Sequence, residues 1–165
     1  MEKNPTLLRI TQILGDTILN TNRFGHSSLW SVWVESGSIQ EVGKILKFDP
    51  DLSLDWLENL SVFEMDQALI LSYFLRSAKT QHQLVLRVSC LLPEPEEGKD
   101  GPIFLPSVDE IWPMCLGFED EIAEMFGIYF GDSAQLQRQR KSLDWLGFPL
   151  RKKFVLSKDI GLLGG

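Results

Sequence analysis

Residues 57–92 run LENLSVFEM, DQ, ALILSYFLR, SAKTQ, HQLVLRVSCLL. Three runs of strand length stand out: Leu57 to Met65, Ala68 to Arg76 and His82 to Leu92. Asp66-Gln67 separates the first two and has the length of a hairpin turn. The polar stretch Ser77 to Gln81 separates the second from the third. The second run is rich in apolar and aromatic residues, and the third alternates well enough for a strand. Three consecutive strands joined by short turns make an antiparallel meander, which must bury one face against something else. The expected class is α+β: a small, mostly antiparallel sheet packed with helices.

The flanks supply the helices. Upstream, Thr6 to Asn20 places Leu7, Leu8, Ile10, Ile13, Leu14 and Ile18 at helical spacing, and a helix is expected there. Asn22 to Ser28 reads as a turn around Gly25. Leu29 to Glu35 alternates Trp30, Val32 and Val34 against Ser31 and Trp33, a further strand. Ser38 and Glu41 have capping-box spacing at the head of a helix through Phe48, which Asp49-Pro50-Asp51 ends.

Downstream, Pro93 to Pro102 is rich in Pro, Gly, Glu and Lys and reads as a mobile loop. Ser107 and Glu110 again have capping-box spacing. Ile111, Cys115, Phe118, Ile122 and Phe126 form one helical face. Pro113 suits the start of a helix better than its interior, so a short first turn and then a helix from about Pro113 are expected. Gly127 would close it, with a short strand at Ile128 to Phe130. Beyond Ser133 periodicity weakens, and Gly147-Phe148-Pro149 forbids a continuous helix. The division expected is an α+β domain at 1–132 and an extended C-terminal docking arm at 133–165.

Charge separates those two parts. The chain has 165 residues and a formal net charge of −7. Between Arg138 and Lys158 seven basic residues stand against Asp144 alone, a net +6, which leaves −13 for the remainder. A basic tail carrying Leu143, Trp145, Leu146, Phe148, Leu150 and Phe154 needs a surface to lie on, its own acidic body or a partner. The acidic balance argues against broad nucleic-acid binding. Cys90 and Cys115 lack metal or redox spacing and read as buried thiols. No signal-peptide pattern and no bilayer-length apolar run is found, which implies a cytoplasmic protein.

The sequence offers little for catalysis. His26 and His82 lack partners at metal-ligand spacing. GxSxG, GxGxxG and the P-loop pattern do not occur. Glu119, Asp120, Glu121 and Glu124 cluster on the Pro113–Phe126 helix. They could be a solvated acidic face or docking charges for Arg and Lys. Neighbouring carboxylates on one helix do not face each other across a substrate cleft, as hydrolytic acid/base pairs must.

Two blocks then carry a family resemblance. The first runs from Pro106-Ser107-Val108 through Ile111-Trp112-Pro113 and Phe118-Glu119-Asp120-Glu121 to Glu124-Met125-Phe126-Gly127-Ile128. The second is Asp144-Trp145-Leu146-Gly147-Phe148-Pro149-Leu150-Arg151-Lys152-Lys153-Phe154. Together they resemble the 30-kDa (C-type) subunit of proton-pumping NADH:quinone oxidoreductase (respiratory complex I), and its equivalents in chloroplast NDH and group 4 membrane-bound hydrogenase complexes. Asp120 stands where that family carries Arg, and the family's Gly-His-Pro-Asp-Leu-Arg-Arg stretch is altered from Gly131 to Arg138.

The resemblance implies a cofactor-free, non-catalytic subunit of the peripheral arm, lying beside the quinone module on the cytoplasmic side of the inner membrane. Its implied partners are the 49-kDa (D-type) subunit and iron–sulfur subunits, with membrane association only through the complex and no nucleic acid. Interface residues expected on this basis are Glu119, Glu121, Glu124, Trp145, Phe148, Pro149, Arg151, Lys152 and Phe154. A hydrogenase-type assembly shares the docking logic. A free-standing carboxylate enzyme on the acidic helix is the rival of different class.

Overall fold

The structure, a computed structural model, describes residues 4–94, 101–131, 148, 150 and 151. It opens with helix α1 (Pro5–Leu14). The Asn4 side chain caps it by accepting from the Thr6 and Leu7 amides at 2.9 and 3.3 Å, and Pro5 occupies the first turn, where its missing N–H costs nothing. The expected helix to Asn20 stops early. Gly15 adopts φ +49°, and after one 3-10 turn (Gly15–Thr17) the chain becomes strand β1 (Ile18–Arg23). The apolar period continues across this break, which is why Ile18 reads as helical.

β2 (Trp30–Val34) follows as expected, and then α2 (Ile39–Phe48). Ser38 gives α2 no side-chain cap. The expected capping box does not form, because a 3-10 turn at Ser36–Ser38 leads the backbone into the helix instead. At the far end Asp49 accepts from the amides of Asp51 and Leu52, and Arg9 donates to the same carboxylate at 2.6 Å, tying α1 to the end of α2.

The meander forms in the expected places: β3 (Trp56–Met65), β4 (Ala68–Arg76) and β5 (Gln83–Leu91). Asp66 and Gln67 both take positive φ, +49° and +65°, the handedness that matches a two-residue turn to strand twist. Met65 therefore pairs with Ala68, and the register runs unbroken to Asn59 opposite Phe74. The sheet order is β1-β2-β5-β4-β3, and the β2–β5 pairing is parallel. Strand alternation then gives two faces. Leu60, Leu71, Tyr73, Leu86 and Val32 lie on the inner face, in the hydrophobic core with Ile10 of α1 and Val42 and Leu46 of α2.

A second unit closes the inner side. β6 (Ile103–Leu105) pairs in parallel with β7 (Ile128–Phe130), and α3 (Cys115–Phe126) lies between them in sequence. Trp112 is the largest fully buried side chain, and its Nε1 donates to the Leu54 carbonyl at 2.9 Å. Its ring approaches α2 at Gly43, where a Cβ would stand 2.9 Å from Ile111 and 3.1 Å from Trp112. Cys90 and Cys115 are buried free thiols, as expected. Burial pushes Cys90 up to about 11 and Cys115 higher still, so both stay protonated and unreactive. No helix among the described residues is long and apolar enough to cross a membrane. The expected arm lies outside the described residues except for Phe148, Leu150 and Arg151, and the Pro93–Pro102 loop except at its ends.

Candidate docking surface

The segment from Pro106 to Gly127 does not begin with the expected capping box. Ser107 accepts from the Asp109 amide at 3.1 Å and donates its hydroxyl to Glu119 Oε2 at 2.7 Å. The Val108 amide donates to Glu119 Oε1 at 3.1 Å. Turns through Trp112 then lead into α3 at Cys115. Glu119 is 3% exposed, so the residue expected as an interface charge is an internal clasp holding the loop against its helix. Its stripe-mates Cys115 and Ile122, four residues before and three after, are buried with it. Burial pushes its carboxyl pKa up, and donation from Ser107, Val108 and Cys115 offsets this only in part. The rival carboxylate enzyme loses a principal candidate here, since both Glu119 oxygens are held by the chain itself.

The other acids of α3 face outward. Asp120, Glu121 and Glu124 are exposed, as is Leu116 at 53%. Glu121 and Glu124, expected as interface charges, thus face solvent.

At the C-terminal end of α3, Gly127 takes φ +68° and caps the helix in the left-handed region. The Phe148 ring lies against it so closely that a Cβ at this position would run into the ring. The Leu150 amide donates to the Met125 carbonyl at 3.1 Å. Arg151 Nε donates to the Phe126 carbonyl at 2.8 Å, and its guanidinium stacks over Phe148 with 4.4 Å to the centroid. A cation here meets the negative end of the helix dipole and carbonyls that lack intrahelical partners. Arg151 is 3% exposed. Phe148 and Arg151, expected to face a partner, therefore pack on their own helix, because α3 ends in bare carbonyls beside a side-chain-free glycine. Trp145, Pro149, Lys152 and Phe154 lie outside the described residues.

The comparisons with known proteins bear on this same stretch. The family described as respiratory-chain NADH dehydrogenase, 30 Kd subunit, matches residues 32–159, from β2 into the basic tail. The chain belongs to that family. Among its relatives, the C subunit of the NADH-quinone oxidoreductase of Roseiflexus castenholzii is 32% identical over 160 residues, covering 94% of this chain and 86% of its own. The protein of the same name from Roseiflexus sp. strain RS-1 is 31% identical over the same shares. That of Francisella tularensis subsp. holarctica is 40% identical over 70 residues, 42% of this chain and 30% of its own. Among solved structures, a chain of the membrane-bound sulfane sulfur reductase, an archaeal respiratory membrane complex, superposes with a TM-score of 0.56. It covers 93% of this chain and 95% of its own at 13% identity, a likeness of fold alone.

For the 30 Kd subunit, the two sequence blocks meet in space at one point. Gly127 is next to last in the first block, and Phe148 and Arg151 of the second pack on Gly127 and on the Phe126 carbonyl. The sequence left this junction unseen, because nothing in the spacing says that a tail residue returns to a helix end some 20 positions earlier.

Proposed function

We propose that this chain is a cofactor-free structural subunit of a complex I-type NADH:quinone oxidoreductase, braced on the cytoplasmic side of the membrane and docked on a partner of the 49-kDa (D) type. Family membership across residues 32–159 carries the proposal. The clamp at Gly127 supports it, because it pins the middle of the basic tail, at Phe148 and Arg151, to the end of α3. In this arrangement residues 133–165 form the docking arm, and Trp145, Pro149, Lys152 and Phe154 provide its apolar and cationic contacts. Exposed Glu121 and Glu124 add carboxylates for partner Arg or Lys. Asp120, standing where the family resemblance gives Arg, selects a partner surface of the opposite sign.

The experiment is recovery of the tagged full-length chain from the membrane fraction of its own cells. A 49-kDa-type partner and an iron–sulfur subunit are expected with it. Trp145→Ala combined with Lys152→Glu should cut their recovery by about tenfold, as losing an anchor and a charge contact predicts. A chain that is recovered alone at native expression, or that keeps its partners in the double variant, would refute the docking arm.

A further inference from the structure

An antiparallel sheet with one solvated face normally alternates apolar and polar residues, polar outward. The outer face of this sheet keeps that rule at Asn59, Ser61, Gln83 and Ser89 but breaks it elsewhere. Its positions, opposite the core, include Trp56, Phe63 and Met65 of β3, Ile70 and Phe74 of β4, Val85 and Leu91 of β5 and Trp33 of β2. Trp56, Phe63, Met65 and Leu91 remain exposed, Leu91 at 81%.

A polar row crosses the middle of this face. Trp33 pairs with Arg87, Arg87 with Ser72, and Ser72 with Ser61. The Arg87 guanidinium stacks over Trp33 at 4.2 Å and lies 5.4 and 5.3 Å from the rings of Phe24 and Phe63. Desolvation lowers its pKa, yet no carboxylate compensates it among the described residues. Trp33 Nε1, Arg87 Nε and Ser72 Oγ are all buried without a hydrogen-bond partner among those residues, and Ser72 is 0% exposed.

The charge layout selects the occupant. In a chain of 23 acidic and 16 basic residues, the strand positions on this face carry no Asp or Glu apart from Glu58 at the β3 bulge. That carboxylate is spent on Arg76 at 3.2 Å. An aromatic surface whose unspent polar groups are a cation and donors calls for an apolar segment carrying one carboxylate. A lipid surface would call for several free cations, whereas Arg76, the other cation of this face, is already paired with Glu58.

We propose that the outer sheet face is a second docking surface, separate from the C-terminal arm, and that it receives an apolar segment of another protein subunit whose Asp or Glu pairs with Arg87. This rests on the chain working inside a multisubunit assembly, and it adds a partner contact on the side of the sheet away from α3.

The test places a photo-crosslinking amino acid at exposed Ser89, on the same face of β5, in the full-length chain within its own cells. A covalent product is expected with a segment of another subunit that holds an Asp or Glu. Arg87→Glu should reduce that product by at least about tenfold, and Lys at the partner's acid should restore it. Phe63→Ser, an exposed position, should weaken it while leaving thermal unfolding of the isolated chain unchanged, which separates lost docking from misfolding. A product confined to this chain's own residues 95–100 or 133–165, to a second copy or to lipid overturns the proposal, as does no product, a partner segment without an acid, or no rescue by the swapped charge. Recovery of the assembled complex without the crosslink overturns this surface alone. Recovery of the chain by itself overturns both this and the docking arm.

Discussion

The two ends of α3 solve the same problem with opposite charges. Near its start, a buried carboxylate, Glu119, gathers donors from Ser107 and Val108. At its end, a buried guanidinium, Arg151, donates to a carbonyl that the helix leaves open. The first contact joins residues 11 and 12 positions apart, and the second joins residues 25 apart. The near clasp is part of the local fold, whereas the far one ties Phe148 and Arg151 to a helix end distant in sequence. Charged residues that look like surface contacts in sequence are thus spent on internal seams, and the acids between them, Asp120, Glu121 and Glu124, are left exposed.

Breaking the far clamp at its base should have the largest effect. Gly127→Val forces a β-branched residue into the left-handed region and displaces the Phe148 ring. Together these cost about 3 kcal/mol or more, read as a lowered denaturant midpoint of the isolated chain. Glu119→Ala should cost about 2–3 kcal/mol, because it leaves the Ser107 hydroxyl and Val108 amide buried without an acceptor. Arg151→Met keeps the apolar stem over Phe148 but drops the charge-assisted bond to Phe126. About 1.5 kcal/mol is expected, together with faster proteolysis within the tail.

Glu119→Gln sharpens the comparison through pH. The folded pKa of Glu119 lies above its ordinary 4.5, so its stabilising contribution is fully present below 4.5 and is lost as pH rises through the folded value. The wild type should lose stability across that window, and Glu119→Gln, which keeps an acceptor without a charge, should flatten this part of the profile. The opposite slope would show that the hydrogen bonds outweigh desolvation. Smallest of all, Glu121→Lys or Glu124→Lys should change stability by less than about 0.5 kcal/mol. The same variants should weaken partner recovery if α3 docks as proposed.

The sheet was legible because its information is local. Strand-length apolar runs in β3 and β4, alternation in β5 and the Asp66-Gln67 turn sit within a few residues of what they determine. The β1 strand was hidden because Ile18 extends an apolar period that only the backbone twist at Gly15 interrupts. The Ser38 and Ser107 capping boxes share one cause: spacing alone does not say whether a serine oxygen points at its own helix, and Ser107 points at Glu119. The burial of Glu119 left a trace, since it shares a stripe with Cys115 and Ile122, but three adjacent acids outweighed it. Arg151 left none, because the helix end it meets is fixed only in three dimensions. Strand pairing also places Ile70, Phe74 and Val85 on the face opposite the core, an anomaly visible only once the register was known.

The parallel pairing of β2 with β5 carries a consequence for the order of assembly. The three meander strands can zip together from neighbouring turns, but β2 finds its place only after β5 has been made, more than 50 positions later. As the chain leaves the ribosome, its first third must wait with Val32 and Val34 unburied until residues 83–91 emerge. Closing so long a loop places this step late and makes it slow relative to the hairpins. A mutation in the β2–β5 seam should therefore reduce the yield of folded chain in the cell more than it lowers the stability of the chain that does fold.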